Sequence, residues 1–400
     1  MKKDTNFNHT LVACYFGMIT QAVVNNFAPL LFLTFRREYG VSLERIALFV
    51  SLNFLTQLCV DLLAIPILPK LGYRRTAVGA HLFCALGLIG LAFLPDILPD
   101  PYIGLLISVM LYAVGGGMIE VFDSPMVEAC PTEHKEAAMS LLHSFYCWGC
   151  ALAILGSTLF FLAFGARAWR VLACLWALIP LVNALAFMRV PIRMPEDERP
   201  AGSTGSLFKN GLFWLIFVVI LCGGAAEQSM SQWASAFAEA GLRVSKTAGD
   251  LAGPCAFAVL MGCARAWYAK NSEKLPVRRA MLLSALLCVA SYLLASLTTS
   301  PAAGLAGCAL CGLSVGVFWP GAISLAAKGI PDGGTRMFAL LAFGGDIGCS
   351  LGPALVGLVS AAQGEDLHAG LLAAVVFPII LIAGLALAAA FTAKKSAKGD

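Results

Sequence analysis

The sequence predicts an all-α membrane protein, with twelve transmembrane helices in two pseudo-symmetric bundles of six. Three observations predict it. Of 400 residues, 59% are hydrophobic and only 12% charged, where soluble domains carry about 25% charged residues. Mean hydropathy is +0.83. Apolar runs of bilayer-spanning length recur twelve times, and parts of the first half reappear in the second.

The runs fall at about 9–34, 43–69, 76–95, 102–128, 136–163 and 168–190, then 209–238, 247–270, 279–298, 302–328, 335–361 and 367–392. Between the two sets lies the chain's one long polar stretch. Its Pro, Gly and charged residues read as a linker. This divides the chain into an N-terminal bundle (1–190), a cytoplasmic linker (191–208) and a C-terminal bundle (209–400). The first run follows Met1-Lys2-Lys3-Asp4 directly and is too long for a signal core, so it reads as an uncleaved first span.

Lys and Arg set the expected orientation. With the N-terminus inside, nineteen of the 27 basic residues fall on the cytoplasmic side and seven outside, leaving Arg265 within a span. Both termini are therefore expected in the cytoplasm by the positive-inside rule. Basic residues confined to short loops point to a bilayer as the surroundings and exclude a nucleic-acid partner.

The halves repeat each other. Lys70-Leu71-Gly72-Tyr73-Arg74-Arg75 after the second run matches Lys274-Leu275-Pro276-Val277-Arg278-Arg279 after the eighth, an offset of 204. Leu141–Cys150 in the fifth run matches Leu340–Cys349 in the eleventh, an offset of 199. Parallel six-span repeats joined by a linker are the architecture of major facilitator transporters.

The motifs carry the resemblance further. Gly116-Gly117-Met118-Ile119-Glu120-Val121-Phe122-Asp123-Ser124-Pro125 in the fourth span is similar to a Gly-x-x-x-Glu-x-x-x-x-Pro signature. Ala22-Val23-Val24-Asn25-Asn26 in the first span is similar to Ala-Val-x-Asn-Asn. Gly72-Tyr73-Arg74-Arg75 resembles a basic gating loop. Together they resemble the major facilitator superfamily and, within it, the fucose permease-like sugar:proton symporters, over essentially the whole chain. The resemblance implies that Glu120 is a protonation site that also serves the sugar, and that Arg74 and Arg75 help close a cytoplasmic gate. Three positions depart from the pattern. Pro29 stands where the family has an acid, Tyr146 where it has an Asn, and Pro69 where the gating loop has its Asp. A partner for Glu120 is accordingly sought in Asp123, Asp61 or Glu227.

The residues themselves give an overlapping set. A carboxylate inside a span costs roughly 2.5–3.5 kcal/mol on insertion scales and is tolerated facing a polar interior or a partner. Asp61, Glu120, Asp123, Glu227, Arg265 and Asp346 all lie in spans. Glu120 either handles protons or solute, or is tied into a packing network with Asp123 and Ser124, three and four residues on. Asp123 is close enough to the span's end to be solvated. Asp61 and Arg265 fall at pseudo-equivalent positions. Either they form structural or gating bridges, Arg265 with Asp250 or Asp346, or Asp61 or Asp346 titrates.

Amides form two clusters, Gln21, Asn25 and Asn26 in the first span and Glu227, Gln228, Ser231 and Gln232 beside Trp233 in the seventh. Such groups exchange hydrogen bonds with sugar hydroxyls while an indole stacks on the ring; the alternative is interhelical hydrogen bonding. His143 relays protons or is an ordinary hydrogen-bonded histidine, and Tyr146 stacks a ligand or packs. Fourteen cysteines lie nearly all in apolar runs; the spacings of Cys147/Cys150 and Cys308/Cys311 lack a polar ligand cluster. They read as packing residues rather than a disulfide framework or metal site.

The expectation is a monomeric secondary transporter of the bacterial-type plasma membrane, moving a small polar solute, most simply a sugar, by alternating access with a proton or, as the alternative, sodium. No GxxxxGK[ST] motif is present, and no cofactor or metal is expected. The rivals are an exporter of drugs or amphipathic metabolites, a solute sensor on the same fold, and an intramembrane enzyme, for which His143 and His81 are too isolated.

Overall fold

A computed structural model describes residues 7–132, 135–193, 207–271, 274–330 and 333–396. Among them are twelve helices long and apolar enough to cross a membrane. They are α1 (Asn8–Tyr39), α2 (Leu43–Leu63), α3 (Tyr73–Ile97), α4 (Pro101–Ala129), α5 (Leu141–Phe164), α6 (Ala166–Arg189), α7 (Gly211–Gly241), α8 (Lys246–Tyr268), α9 (Val277–Leu297), α10 (Pro301–Gly329), α11 (Met337–Ala362) and α12 (Leu367–Phe391). Each of the twelve apolar runs has become one helix. The bulk of the expected linker, residues 194–206, lies outside the described residues.

Several helices are irregular where the sequence removes a backbone bond. Pro29 lacks an N–H, and α1 tightens there into a 3-10 turn over Ala28–Leu31. α7 ends in a π-helical turn at Phe237–Gly241. α8 carries another at Leu251–Cys255, around Pro254. α10 is interrupted between its Pro301–Val315 and Phe318–Gly329 segments.

The chain forms two compact units, Met1–Ser42 with Leu52–Asp197, and Leu43–Ser51 with Glu198–Asp400. Inside the first, α1 packs on α4, α5 and α6, and α3 packs on α4 and α6. Inside the second the scheme returns six helices later, with α7 on α11 and α12 and α9 on α10 and α12. The internal repeat of the sequence is thus a repeat of packing.

The glycine run of α4 makes it the hub of the first unit. Successive residues of a helix point about 100° apart, so Gly115, Gly116 and Gly117 between them meet α3, α1 and α2. Gly115 lies on Ala80 and Cys84 of α3, Gly116 on Val24 of α1 and Gln57 of α2, and Gly117 on the Gln57 backbone and Val60 of α2. A Cβ at Gly115 would overlap the Ala80 carbonyl. Close helix approach through small residues replaces the hydrophobic drive that lipid does not supply.

Two basic groups tie helix ends in this unit. Gly72 holds a φ of +83°, open only to glycine at low cost, and α3 starts immediately after it. The Arg74 guanidinium then donates to the carbonyls of Phe187 (2.7 Å) and Val190 (2.9 Å) at the end of α6. There the carbonyls lack helical partners and the helix dipole favours a cation. At the opposite end of α3 and α6, Arg170 of α6 bonds Asp96 of α3 (3.0 Å) and pairs with Glu38 of α1 (3.2 Å). It also donates to the Tyr39 hydroxyl (2.7 Å), which in turn donates to Asp96 (2.8 Å). The guanidinium lies 4.6 Å from the Trp169 ring centroid, and the Trp169 indole N–H donates to Glu38.

Candidate functional site

The first unit carries a polar seam where α1 meets α4 and α2. Gln21 Nε2 donates to Glu120 Oε2 at 2.8 Å. Gln21 is buried while the Glu120 side chain is exposed, although it lies deep in the span. One turn further along α4, Asp123 is fully buried. It fits against α1 only because residue 17 is glycine: a Cβ there would overlap the Asp123 carboxyl. The Cys14 thiol is its polar neighbour, and among the described residues neither carboxyl oxygen has another hydrogen-bond donor. Asp123 is therefore not solvated at the helix end, as the sequence led us to expect. Glu120 and Asp123 stack against one face of α1, but only Glu120 is accessible.

In the other direction along α1, Asn25 Oδ1 accepts from Gln57 Nε2 (3.0 Å) and from Asn53 Nδ2 (3.5 Å), both on α2. All three carboxamides are buried, and Asn53 Oδ1 has no hydrogen-bond partner. Asn53 and Gln57 were missed in the sequence. The available signal was two amides four residues apart in an apolar run, the same spacing as Gln228 and Gln232. Asn26 turns away from this triad, donating to the Ala22 carbonyl (2.9 Å) and the Cys150 sulfur (3.1 Å). Asp61 and Tyr146 are half-buried and His143 is exposed.

The second unit has its own polar cluster on α7. Glu227 is buried and pairs with Arg265 of α8 at 3.6 Å. Of the two partners expected for Arg265, Asp250 or Asp346, Asp250 is engaged elsewhere. Asp250 binds Lys246 (3.0 Å) and accepts from the Ser235 hydroxyl; it lies fifteen residues before Arg265 on α8, roughly 20 Å along a helix axis. One residue on, Gln232 Nε2 donates to Gln228 Oε1 at 3.1 Å. Trp233, expected to stack on a ligand, is fully buried. Its indole N–H donates to the Pro353 carbonyl (3.0 Å) and its ring covers Gly357; it is committed to α7–α11 packing. Asp346 on α11 is half-buried. Arg75, beside the helix-capping Arg74, is exposed.

His81 offers a contrast to these groups. Its Nδ1 faces the Ala77 carbonyl (2.7 Å) and must carry the proton, so Nε2 accepts from Asn183 Nδ2 (2.8 Å), which also donates to the Ala13 carbonyl (2.9 Å). Through Asn183 Nδ2 the pair ties α1, α3 and α6 together.

Two compact units with matching internal packing each carry ionisable and amide side chains at span depth. The sequence matches the Major Facilitator Superfamily profile over residues 12–353. The chain belongs to that superfamily. It is a multi-pass secondary transporter, and major facilitator proteins move small solutes without acting as enzymes. Solved major facilitator structures share its fold. A bacterial homolog of the human lysosomal transporter Spinster, inward-facing and occupied, is 14% identical with a TM-score of 0.77 over 96% of both chains. The Escherichia coli fucose:proton symporter FucP is 17% identical with a TM-score of 0.64, over 95% of this chain and 98% of its own. The nucleoside transporter NupG is 12% identical with a TM-score of 0.77, over 95% and 100%. No curated protein matches the sequence significantly.

Proposed function

We propose that this major facilitator moves a hydroxyl-rich solute, a sugar, together with a proton, and that Glu120 carries the proton. The observation behind this reading is the Gln21–Glu120 hydrogen bond. Glu120 is an accessible carboxyl whose partner is a neutral amide, so it can gain or lose a proton without abandoning a cation. A carboxamide also serves either state, donating from nitrogen to a carboxylate or accepting at oxygen from a carboxylic acid. Glu227 differs, since taking a proton there breaks its ion pair with Arg265.

Around this proton site, Asp123, Asp61 and Asp346 are the further carboxyls of the coupling scheme, with Asp123 the buried neighbour to which Glu120 passes its proton. Solute hydroxyls bond to Gln21, Asn25 and Asn26 in the first bundle and to Glu227, Gln228 and Gln232 in the second, with His143 and Tyr146 contributing from α5. Gln57 and Asn53 hold the Asn25 carboxamide in place. Arg74, Arg75 and Arg265 act in gating. The two bundles are those read from the sequence, and the protein sits in a plasma membrane with both termini cytoplasmic.

The test is uptake by purified protein in liposomes with an imposed pH gradient, against a panel of sugars. Accumulation of one or more sugars that collapses with the gradient is expected. Glu120→Gln is expected to abolish gradient-driven accumulation while leaving solute-for-solute exchange. No sugar uptake under any gradient ends the sugar reading, and unchanged accumulation by Glu120→Gln ends the proton assignment.

A further inference from the structure

The cation clasp that Arg170 makes in the first unit has a counterpart in the second, built on a histidine. His368 stands at the start of α12, as Arg170 stands at the start of α6. Its ring Nδ1 lies 3.1 Å from the Ser296 carbonyl at the end of α9, and Nε2 lies 3.3 Å from the Gly241 carbonyl at the end of α7. Arg170 likewise joins α6 to the ends of α3, through Asp96, and of α1, through Glu38 and Tyr39. The pairs Arg170/His368, Asp96/Ser296 and Tyr39/Gly241 are separated by 198, 200 and 202 residues, close to the offsets of 199 and 204 at which the sequence repeats. The same three helix ends are tied in each unit.

The chemistry differs. A backbone carbonyl oxygen accepts and never donates, so two carbonyls facing the two ring nitrogens are both satisfied only when both nitrogens carry protons. With a neutral ring, one nitrogen lone pair points at a carbonyl lone pair. We propose that His368 is a proton-binding clasp of the second bundle. As the imidazolium it joins the ends of α7, α9 and α12, and it releases one of them when the ring loses a proton.

The surroundings suit a cation. Both carbonyls belong to the last turns of helices, where acceptors lack helical partners and the dipole is negative. On α12 itself, the Asp366 side chain accepts from the His368 backbone N–H at 2.9 Å, and Glu365 precedes it. The end of α7 contributes Glu239 and, beyond Gly241, the exposed Arg243. The last turn of α9 and the end of α11 bring no ionisable group. Phe237 stands edge-on to the ring, with centroids 4.9 Å apart.

The direction of the pH effect follows from which form makes both bonds. The clasp is complete at acid pH, where the imidazolium persists, and its contribution is lost as pH rises and one N–H disappears. The experiment measures the thermal unfolding midpoint of the purified full-length protein from pH 5.5 to 8.5. Wild type, His368→Arg and His368→Phe are compared. The wild-type midpoint is expected to fall by roughly 2–4 °C relative to His368→Arg as pH rises. His368→Arg, a permanent cation like Arg170, is expected to hold its midpoint, and His368→Phe to start low and lose the dependence. If His368→Phe does not accumulate, His368→Arg decides alone. A pH dependence identical in wild type and His368→Arg overturns the proposal, as does a histidine ¹⁵N spectrum at acid pH showing a neutral His368 ring.

Discussion

Arg170 and His368 close the same corner of their respective bundles, yet one does so with side-chain acids and the other with backbone carbonyls. The deep acids diverge in a parallel way. Glu120 in the first bundle is held by an amide, Glu227 in the second by a guanidinium. On the readings proposed above, the first bundle pairs a permanent charge at its rim with a proton-exchanging group inside, and the second pairs an ion pair inside with a proton-binding clasp at its rim. A duplicated fold keeps positions, because packing geometry is inherited with the backbone. It does not keep the chemistry at them, since a helix tolerates any side chain whose polar atoms find partners.

The comparison breaks most sharply at the deep pairs. Arg265→Leu leaves Glu227 buried without its cation and is expected to destabilise the fold by about 3–5 kcal/mol. Gln21→Leu should cost only about 1–2 kcal/mol, because a neutral donor alone is lost. Thermal unfolding of the two variants side by side measures the difference, and equal losses would erase the contrast between amide-held and arginine-held acids.

Next in size is Gly17→Ala. Its methyl group would press on the Asp123 carboxyl, forcing α1 from α4 at a cost of about 1–3 kcal/mol. Gly223 of α7 meets the Phe318 side chain first, at 3.0 Å. Gly223→Ala should be the milder change, and a larger loss from it than from Gly17→Ala would show that Asp123 has room to move.

The smallest effect belongs to the rim. Arg170 and its acids are partly exposed, with side chains 32%, 27% and 50% accessible for Arg170, Glu38 and Asp96. Each exposed pair contributes no more than about 1 kcal/mol, with the Trp169 face adding about 0.5–1 kcal/mol. Arg170→Met is expected to lower the unfolding midpoint by a few degrees, equally at pH 6 and pH 8, since arginine stays charged throughout. A pH-dependent loss would show that the permanent clasp, too, depends on a titrating partner.

Much of this was legible in the chain. Long apolar runs become spanning helices because lipid offers no partner to an unpaired backbone, so length and hydropathy suffice. The repeats at 70–75 and 274–279 expose the duplication. Intramembrane cost singled out Asp61, Glu120, Asp123, Glu227, Arg265 and Asp346; of these, Glu120 bonds Gln21 and Glu227 pairs with Arg265. The seam with Asn53 and Gln57 escaped notice because an amide in a span carries no charge penalty strong enough to advertise it. Trp233 was misjudged because the sequence beside it is polar; on a helix its ring points away from Gln228 and Gln232 into α11.

What the sequence determined by itself is the membrane architecture and the identity of the costly residues, since both follow from transfer free energies that each side chain carries regardless of its neighbours. Partnership was decided only by tertiary structure. Glu227 rather than Asp250 holds Arg265, and Asp123 is sealed behind Gly17. His368 faces two carbonyls 72 and 127 residues away along the chain. Such pairings depend on helix rotation and spacing of a few ångströms, set by which glycines admit a neighbour, and residue types in a line do not encode those distances.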